Sequence, residues 1–384
     1  MNHQSPPEGI AIMNEQRTTA PLAPGEVIKQ QLDARNWTQI ELSMILGRPP
    51  SDVSDLITGK RSISLDIAKE LAAAFGTESE YWLSIDSAYQ LTLSGEADQA
   101  IARRAKVYRY APVWEMAKRH WLELSDDVEK LENSVKNFYG VTTLDDPINL
   151  PHAARRGTAE ITPAEWAWLF RARHLAGAVQ AAPFSIRTFK HRIGNLKQLL
   201  LSAPEARRAP EILADAGIRL LVVEPLCKTG IDGATFWIDS KSPVIVLSLR
   251  WDRIDCFWFT LAHELGHVAH QDALSIDPDL VGEGTQPSED EVEVRANQYA
   301  TDFLIPKASL DDFILRTSPL YAKQRVLAFA ARMGVHPGIV VGQLQFRREI
   351  EWSTFRPLLE KVKDAVTQST LTDGWGHLPQ VLEY

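Results

Sequence analysis

The stretch Thr260-Leu261-Ala262-His263-Glu264-Leu265-Gly266-His267-Val268 decides how this chain is read. After Asp252 the apolar residues Phe257, Leu261, Leu265 and Val268 fall on adjacent turns, so the stretch lies inside one helix. His263 and His267 are then one turn apart on the same face. Two imidazoles placed so converge on a single ion, and tetrahedral zinc takes them at Zn–N distances of about 2.0–2.1 Å. Glu264 points off that line by about 100°, from where a carboxylate reaches a water beside the ion but not the ion itself. Residue types and spacing together match the His-Glu-x-x-His pattern of zinc peptidases, with Glu264 as catalytic base.

A catalytic zinc keeps three protein ligands and one open position, so the third ligand comes from elsewhere. Downstream, the acidic run Glu289-Asp290-Glu291-Val292-Glu293 leads into Arg295-Ala296-Asn297-Gln298-Tyr299-Ala300. Helical phase puts Glu293, Ala296, Asn297, Ala300 and Leu304 on one face. The alanines let this second helix pack closely on the first, and Gly266 and Ala262 keep the surroundings small. Glu293 is the candidate third ligand, with Glu289 and Glu291 in reserve. Asn297, one turn on, is in reach of a ligating imidazole and supports it from outside the coordination sphere. Cys227 can be read as a thiolate plug on the ion or as a plain loop thiol. Cys256 reads as core and His270 as a surface residue.

Outward from this site, the chain changes texture. Residues 218–223, 233–238 and 243–249 read as strands, with Asp239-Ser240-Lys241-Ser242 as a turn. The strand from Gly233 to Trp237 is the expected place for an extended peptide substrate to pair. Residues 206–384 are therefore expected to form an α+β domain with C-terminal helices. Residues 92–205 read as a helical middle, with Pro147, Pro151 and Gly157 marking a loop. Residues 24–91 read as short, closely spaced helices. Thr38 caps one that Gly47 ends, Ser51 opens the next, which stops at Gly59, and Ser64 starts a third that Gly76 closes. Two such helices joined by the tight turn Arg48-Pro49-Pro50 have the pattern of a helix-turn-helix. Residues 1–23 are polar and read as a disordered lead-in.

Composition narrows the function. The 384 residues are 45% apolar, enough for two or three cores. No apolar run reaches the roughly 20 residues that span a bilayer, and the N-terminus has no apolar segment of a signal peptide. Two cysteines, Cys227 and Cys256, do not make a disulfide framework, and a reducing cytoplasm is the expected location. The net charge is −9, which disfavours nucleic acid as the main partner.

The residues now quoted carry a resemblance. His263-Glu-Leu-Gly-His267, followed by Glu293-x-x-Ala296-Asn297-x-Tyr299-Ala300 and Leu304-Ile305-Pro306, resembles the ImmA/IrrE family of bacterial metallopeptidases. Pro24-Gly25-Glu26, Thr38-Gln39, Leu56-Ile57-Thr58-Gly59-Lys60-Arg61 and Tyr81-Trp82-Leu83 resemble the helix-turn-helix of HigA-type antitoxins of the Xre class. The resemblance implies a gluzincin-like zinc endopeptidase, with Zn2+ as cofactor, that cleaves a helix-turn-helix repressor under stress, phage attack or DNA damage. A homodimer is compatible with it. The alternative is a DNA-binding antitoxin or regulator whose peptidase half is sensory or silent. For that alternative Gln39, Arg48, Lys60 and Arg61 are the candidate DNA or partner contacts. Against it stand Asp52 and Asp55 on the presumed recognition helix, and 6 Lys+Arg against 10 Asp+Glu over residues 24–91.

Overall fold

The N-terminal helices start and stop where the cap residues dictate. In the computed structural model, which describes residues 22–93, 99–150, 161–285 and 288–375, they are α1 (Pro24–Asp33), α2 (Gln39–Leu46), α3 (Pro50–Ile57), α4 (Leu65–Phe75) and α5 (Ser79–Leu93). Thr38 and Glu41 form a reciprocal capping box at α2, and left-handed Gly47 ends it. Ser64 caps α4, and Gly76 ends it. The expected opening at Ser51 shifts by one residue: Pro50 already occupies the first turn of α3, where its fixed φ suits the helix. Val27, Ile28, Leu42, Val53, Leu56, Ile67, Leu71, Phe75 and Trp82 fill the core of this bundle. Most of the residues read as lead-in lie outside the described residues, as do Pro151 and Gly157.

The chain divides into two compact units, Met1–Ala102 and Arg103–Tyr384. The second begins within α6 (Gln99–Tyr110) and continues through α7 (Val113–Lys118), α8 (Val128–Tyr139), α9 (Pro163–Ala176), α10 (Ile186–Arg192) and α11 (Ala209–Asp215). Strands β1 (Arg219–Val222), β2 (Ile231–Trp237) and β3 (Pro243–Leu247) follow, then α12 (Ile254–His270), β4 (Leu274–Pro278) and α13 (Glu291–Leu304). Helices α14 (Lys307–Thr317), α15 (Lys323–Met333), α16 (Pro337–Phe346) and α17 (Lys363–Thr367) precede β5 (Leu371–Thr372). This is the mixed α+β architecture expected.

The sheet order is β4-β2-β3-β1-β5. β2 runs antiparallel to both β3 and β4, while β1 pairs in parallel with β3 and β5. Both sheet faces are covered. Leu220, Val222, Ile245 and Leu247 join the core containing α12 and α13. Leu221, Val223, Ala234, Phe236, Val244 and Val246 join a second core with Val107, Met116, Leu131, Phe138, Trp168 and Phe170 from the preceding helices. That is why these strands read as near-continuous apolar runs rather than alternating ones. β2 is not the free edge expected for a substrate, because β3 and β4 occupy its two sides.

Candidate metal centre

Every residue of α12 from Ile254 to Val268 is buried. The helix lies against β2 and β3 on one side and α13 and α16 on the other. Gly266 makes the α13 contact close: a Cβ there would stand 3.0 Å from Cα of Ala296. Ala296 and Ala300 complete the small-residue seam. The seam sets the height of α13, which brings Glu293 and Asn297 to the histidines.

Nδ1 of His263 lies 3.1 Å from Oδ1 of Asn297, and Nδ1 of His267 lies 3.0 Å from Oδ2 of Asp272. Both oxygens are acceptors, so each ring donates its Nδ1 proton outward and turns Nε2 toward the other ring. The two Nε2 atoms face each other at 2.9 Å. Two ring nitrogens so close need positive charge between them, supplied by a proton or by a metal ion. Glu293 Oε2 lies 3.2 Å from Nε2 of His263 and 3.7 Å from that of His267. Asp277 presents Oδ1 at 3.5 Å and Oδ2 at 3.8 Å to the same two nitrogens. One ligand atom from each of these four residues lies within 4.8 Å of all the others. Ligand atoms around a tetrahedral zinc stand about 3.3 Å apart, given bonds near 2.0–2.1 Å. The donor set therefore fits one divalent cation.

The electrostatics agree. Burial alone would lower the basicity of His263, but Asp277, Glu293 and Glu264 reverse this and push it up to about 10. Burial likewise opposes charge on His267, and Asp272, Glu293 and Asp277 push it up to about 11. Burial opposes ionisation of Glu293 too, yet both imidazoles hold it far below the usual carboxylate range. The pocket is built for positive charge.

Glu264 stands beside this set. Thr235 on β2 donates its hydroxyl to Oε2 at 2.7 Å. Oε1 is buried without a hydrogen-bond partner. Burial, followed by the negative charge of Asp277, lifts the Glu264 carboxyl well above its ordinary range. A carboxyl shifted in this direction takes up a proton more readily than one in water, as a general base must.

The sequence reading missed Asp272, Asp277 and Thr235. Asp272 follows directly on the left-handed residue Gln271 that ends α12, and the reversal brings it back under His267. The alternation Ser275-Ile276-Asp277 was the available signal for β4. Glu289 and Glu291 are outside the four-residue group and line a surface groove with His270. Nδ1 of His270 donates to the Gly266 carbonyl at 2.7 Å. Cys227 is exposed and also outside the group, while Cys256 is buried.

In the helix-turn-helix, Gln39 and Lys60 are exposed. Arg48 is clamped by both oxygens of Glu70 at 2.5 and 2.9 Å and lies 3.6 Å from Asp52. Arg61 pairs with Asp52 at 2.7 Å. Two of the four candidate contacts are thus engaged by acids of their own module.

Residues 214–344 match the IrrE N-terminal-like domain of peptidase family M78, and residues 28–82 match a helix-turn-helix domain family. The chain belongs to the class of proteins that join these two modules. Its relatives include virulence-associated protein A' of Dichelobacter nodosus, 35% identical over 22% of this chain and 74% of that protein. Another is the HTH-type transcriptional regulator YddM of Escherichia coli, 30% identical over 20% of this chain and 80% of that protein. Among solved structures, a HigA-family antidote protein from Coxiella burnetii is 32% identical over 20% of this chain and 84% of its own, with a TM-score of 0.19. The Pseudomonas aeruginosa antitoxin HigA, solved with the higBA promoter, is 28% identical over 19% and 82%, also at 0.19. No helix among the described residues is long and apolar enough to cross a membrane.

Proposed function

We propose that this protein is a zinc-dependent endopeptidase that cuts a helix-turn-helix repressor protein and so derepresses stress or phage-defence genes. The observation that carries the enzymatic part is the pair of Nε2 atoms at 2.9 Å with Glu293 beside them, both Nδ1 atoms being engaged from outside. His263, His267 and Glu293 are the proposed ligands, and Asn297 and Asp272 orient the two rings. Zinc, when bound, supplies a Lewis acid that acidifies a water and polarises the scissile carbonyl. Glu264 takes the proton of the attacking water on Oε1, the oxygen without a partner. Thr235 meanwhile holds Oε2 and fixes the carboxylate plane. The water oxygen bonds to the carbonyl carbon, the C–N bond breaks, and Glu264 returns its proton to the leaving amine. The repressor substrate rests on the resemblance to ImmA/IrrE peptidases. The free cysteines fit a reducing cytoplasm.

The test is a purified Xre-class repressor offered to the zinc-loaded protein. Wild type is expected to hold one zinc and cut the repressor, while Glu264→Gln keeps its zinc and cuts about 10²–10⁴-fold more slowly. His263→Ala is expected to lose the metal. Equal cleavage by wild type and Glu264→Gln, both with zinc in place, would remove the mechanism.

A second reading, a DNA-binding regulator with a silent peptidase half, is favoured by the match at residues 28–82 and by the regulator relative. The ion pairs on Arg48 and Arg61 weigh against it. Salt-sensitive nanomolar binding to its own promoter, without any proteolysis, would establish it over the first.

A further inference from the structure

Asp277 faces the Nε2 atoms of both His263 and His267, at 3.5 and 3.8 Å. We propose that Asp277 is a fourth protein ligand which closes the coordination sphere in this conformation, so that strand β4 must move before a peptide is cut. This rests on the metal reading above.

Four observations carry it. Asp277 pairs in register with Gly233, the same glycine that faces Oε1 of Glu264, which sets the aspartate over the catalytic carboxylate. Its two oxygens are shared out, one toward each imidazole Nε2, as a metal-facing carboxylate would be. The hydroxyl of Ser275 reaches Asp277 at 3.1 Å and Oε1 of Glu293 at 3.3 Å, tying the two carboxylates into one set. Finally, Asp277 is buried beside Glu264 and Glu293. Such a cluster of acids is costly unless positive charge, from the two imidazoles or from a metal ion that replaces their protons, compensates it. Four protein ligands make a closed sphere, whereas cleavage needs one position free.

The strand that brings Asp277 is the edge of the sheet. β4 covers the side of β2 from Ile231 to Phe236, the backbone on which an extended peptide would pair by strand addition. It stands in the place of a substrate strand and puts a carboxylate where the scissile group belongs. His263, Glu264 and His267 are each 0% exposed under it, so no peptide carbonyl reaches them in this arrangement. Its ends are held by the Arg295–Asp272 and Arg250–Asp279 pairs, at 2.7 and 2.8 Å. Arg250–Asp279 is an exposed pair of the kind that contributes little.

The test uses the full chain loaded with cobalt(II), whose visible bands report coordination, and azide as a small exogenous ligand. Wild type is expected to give tetrahedral bands that azide leaves unchanged, while Asp277→Asn gives bands that azide shifts. Competition with a chromophoric chelator is expected to show cobalt held at least about tenfold more weakly by Asp277→Asn, since even loss of an outer partner has that effect. If azide shifts the wild-type bands, or Asp277→Asn holds cobalt as tightly as wild type, Asp277 is not a ligand and the proposal falls alone. If wild type takes up no cobalt, the metal reading falls with it. Should Asp277→Asn fail to fold, the azide titration of wild type decides the matter by itself.

Discussion

Gly233 lies flush against the carboxylate of Glu264: a Cβ at Gly233 would stand 2.3 Å from Oε1 and 2.9 Å from Cγ2 of Thr260. Glu264 is wholly buried and cannot swing aside into solvent. Gly233→Ala is therefore expected to displace the carboxylate. Turnover should fall at least tenfold while the zinc content of the purified protein stays at wild-type level. Overpacking typically costs about 1–3 kcal/mol, so the melting temperature should drop as well. Wild-type turnover in this variant would mean that Glu264 does not act from the position seen.

The α12–α13 seam gives the complementary case. A methyl group at Gly266 would meet the backbone of Ala296 at 3.0 Å and Cβ of Tyr299 at 3.2 Å. Here the obstacle is main chain, so the helices must part. Gly266→Ala is expected to carry Glu293 away from the imidazoles and to lower zinc affinity, in contrast to Gly233→Ala. A chelator competition on the two variants side by side checks the contrast.

Asp272 should matter for the metal without touching it. It accepts from Nδ1 of His267 and is itself held by Arg295. Asp272→Asn keeps the size and loses the charge, and outer partners of this kind are worth about 10–100-fold in metal affinity. Titration with zinc against a competing chelator measures it. An affinity within twofold of wild type would show that the ring is fixed by packing alone.

Removing the metal should cost stability in the unit that holds it. A ligand that binds only the folded state stabilises it by about 2.7 kcal/mol when present at a hundred times its dissociation constant. At about 2–4 °C per kcal/mol for domains of 150–250 residues, chelation should lower the transition of this unit by roughly 5–11 °C. Scanning calorimetry with and without chelator reads this directly. An unshifted transition would argue that no metal bridges α12 and α13.

In the helix-turn-helix, the acids are expected to act as brakes on DNA. The Glu70 carboxylate is held below its ordinary range by its hydrogen bonds to Arg48, and Asp52 engages Arg61. The double variant Asp52→Asn, Glu70→Gln releases both guanidinium groups. It should bind duplex DNA more tightly than wild type, with a salt slope steeper by about 0.9 for each new phosphate contact. Unchanged slopes would show that these arginines do not face the duplex.

What was legible in the sequence divides along physical lines. Helix periodicity places His263, His267, Glu293 and Asn297 by phase alone, because one turn of helix is a short, rigid ruler. The capping residues Thr38, Gly47, Ser64 and Gly76 mark their helix ends for the same local reason. Asp272 and Asp277 were not legible. They reach the site through a left-handed turn at Gln271 and a five-residue edge strand, and neither has a periodicity long enough to read. The position of β2 in mid-sheet depended on that same strand, so the expectation of a free edge failed with it. Pairing of β5 with β1 joins residues 150 positions apart, a distance at which sequence pattern carries no register.

The reversal at Gln271 has a consequence for how the site forms. His263, Glu264, His267, Asp272 and Asp277 all lie within one continuous segment from residue 263 to 277. Closing so short a loop costs little chain entropy, and contacts local in sequence form fast. Most of the centre can therefore assemble from a single helix-and-turn fragment before α13 docks. Glu293 and Asn297 then arrive as late additions that complete it, and mutations in α13 should chiefly accelerate unfolding rather than slow folding.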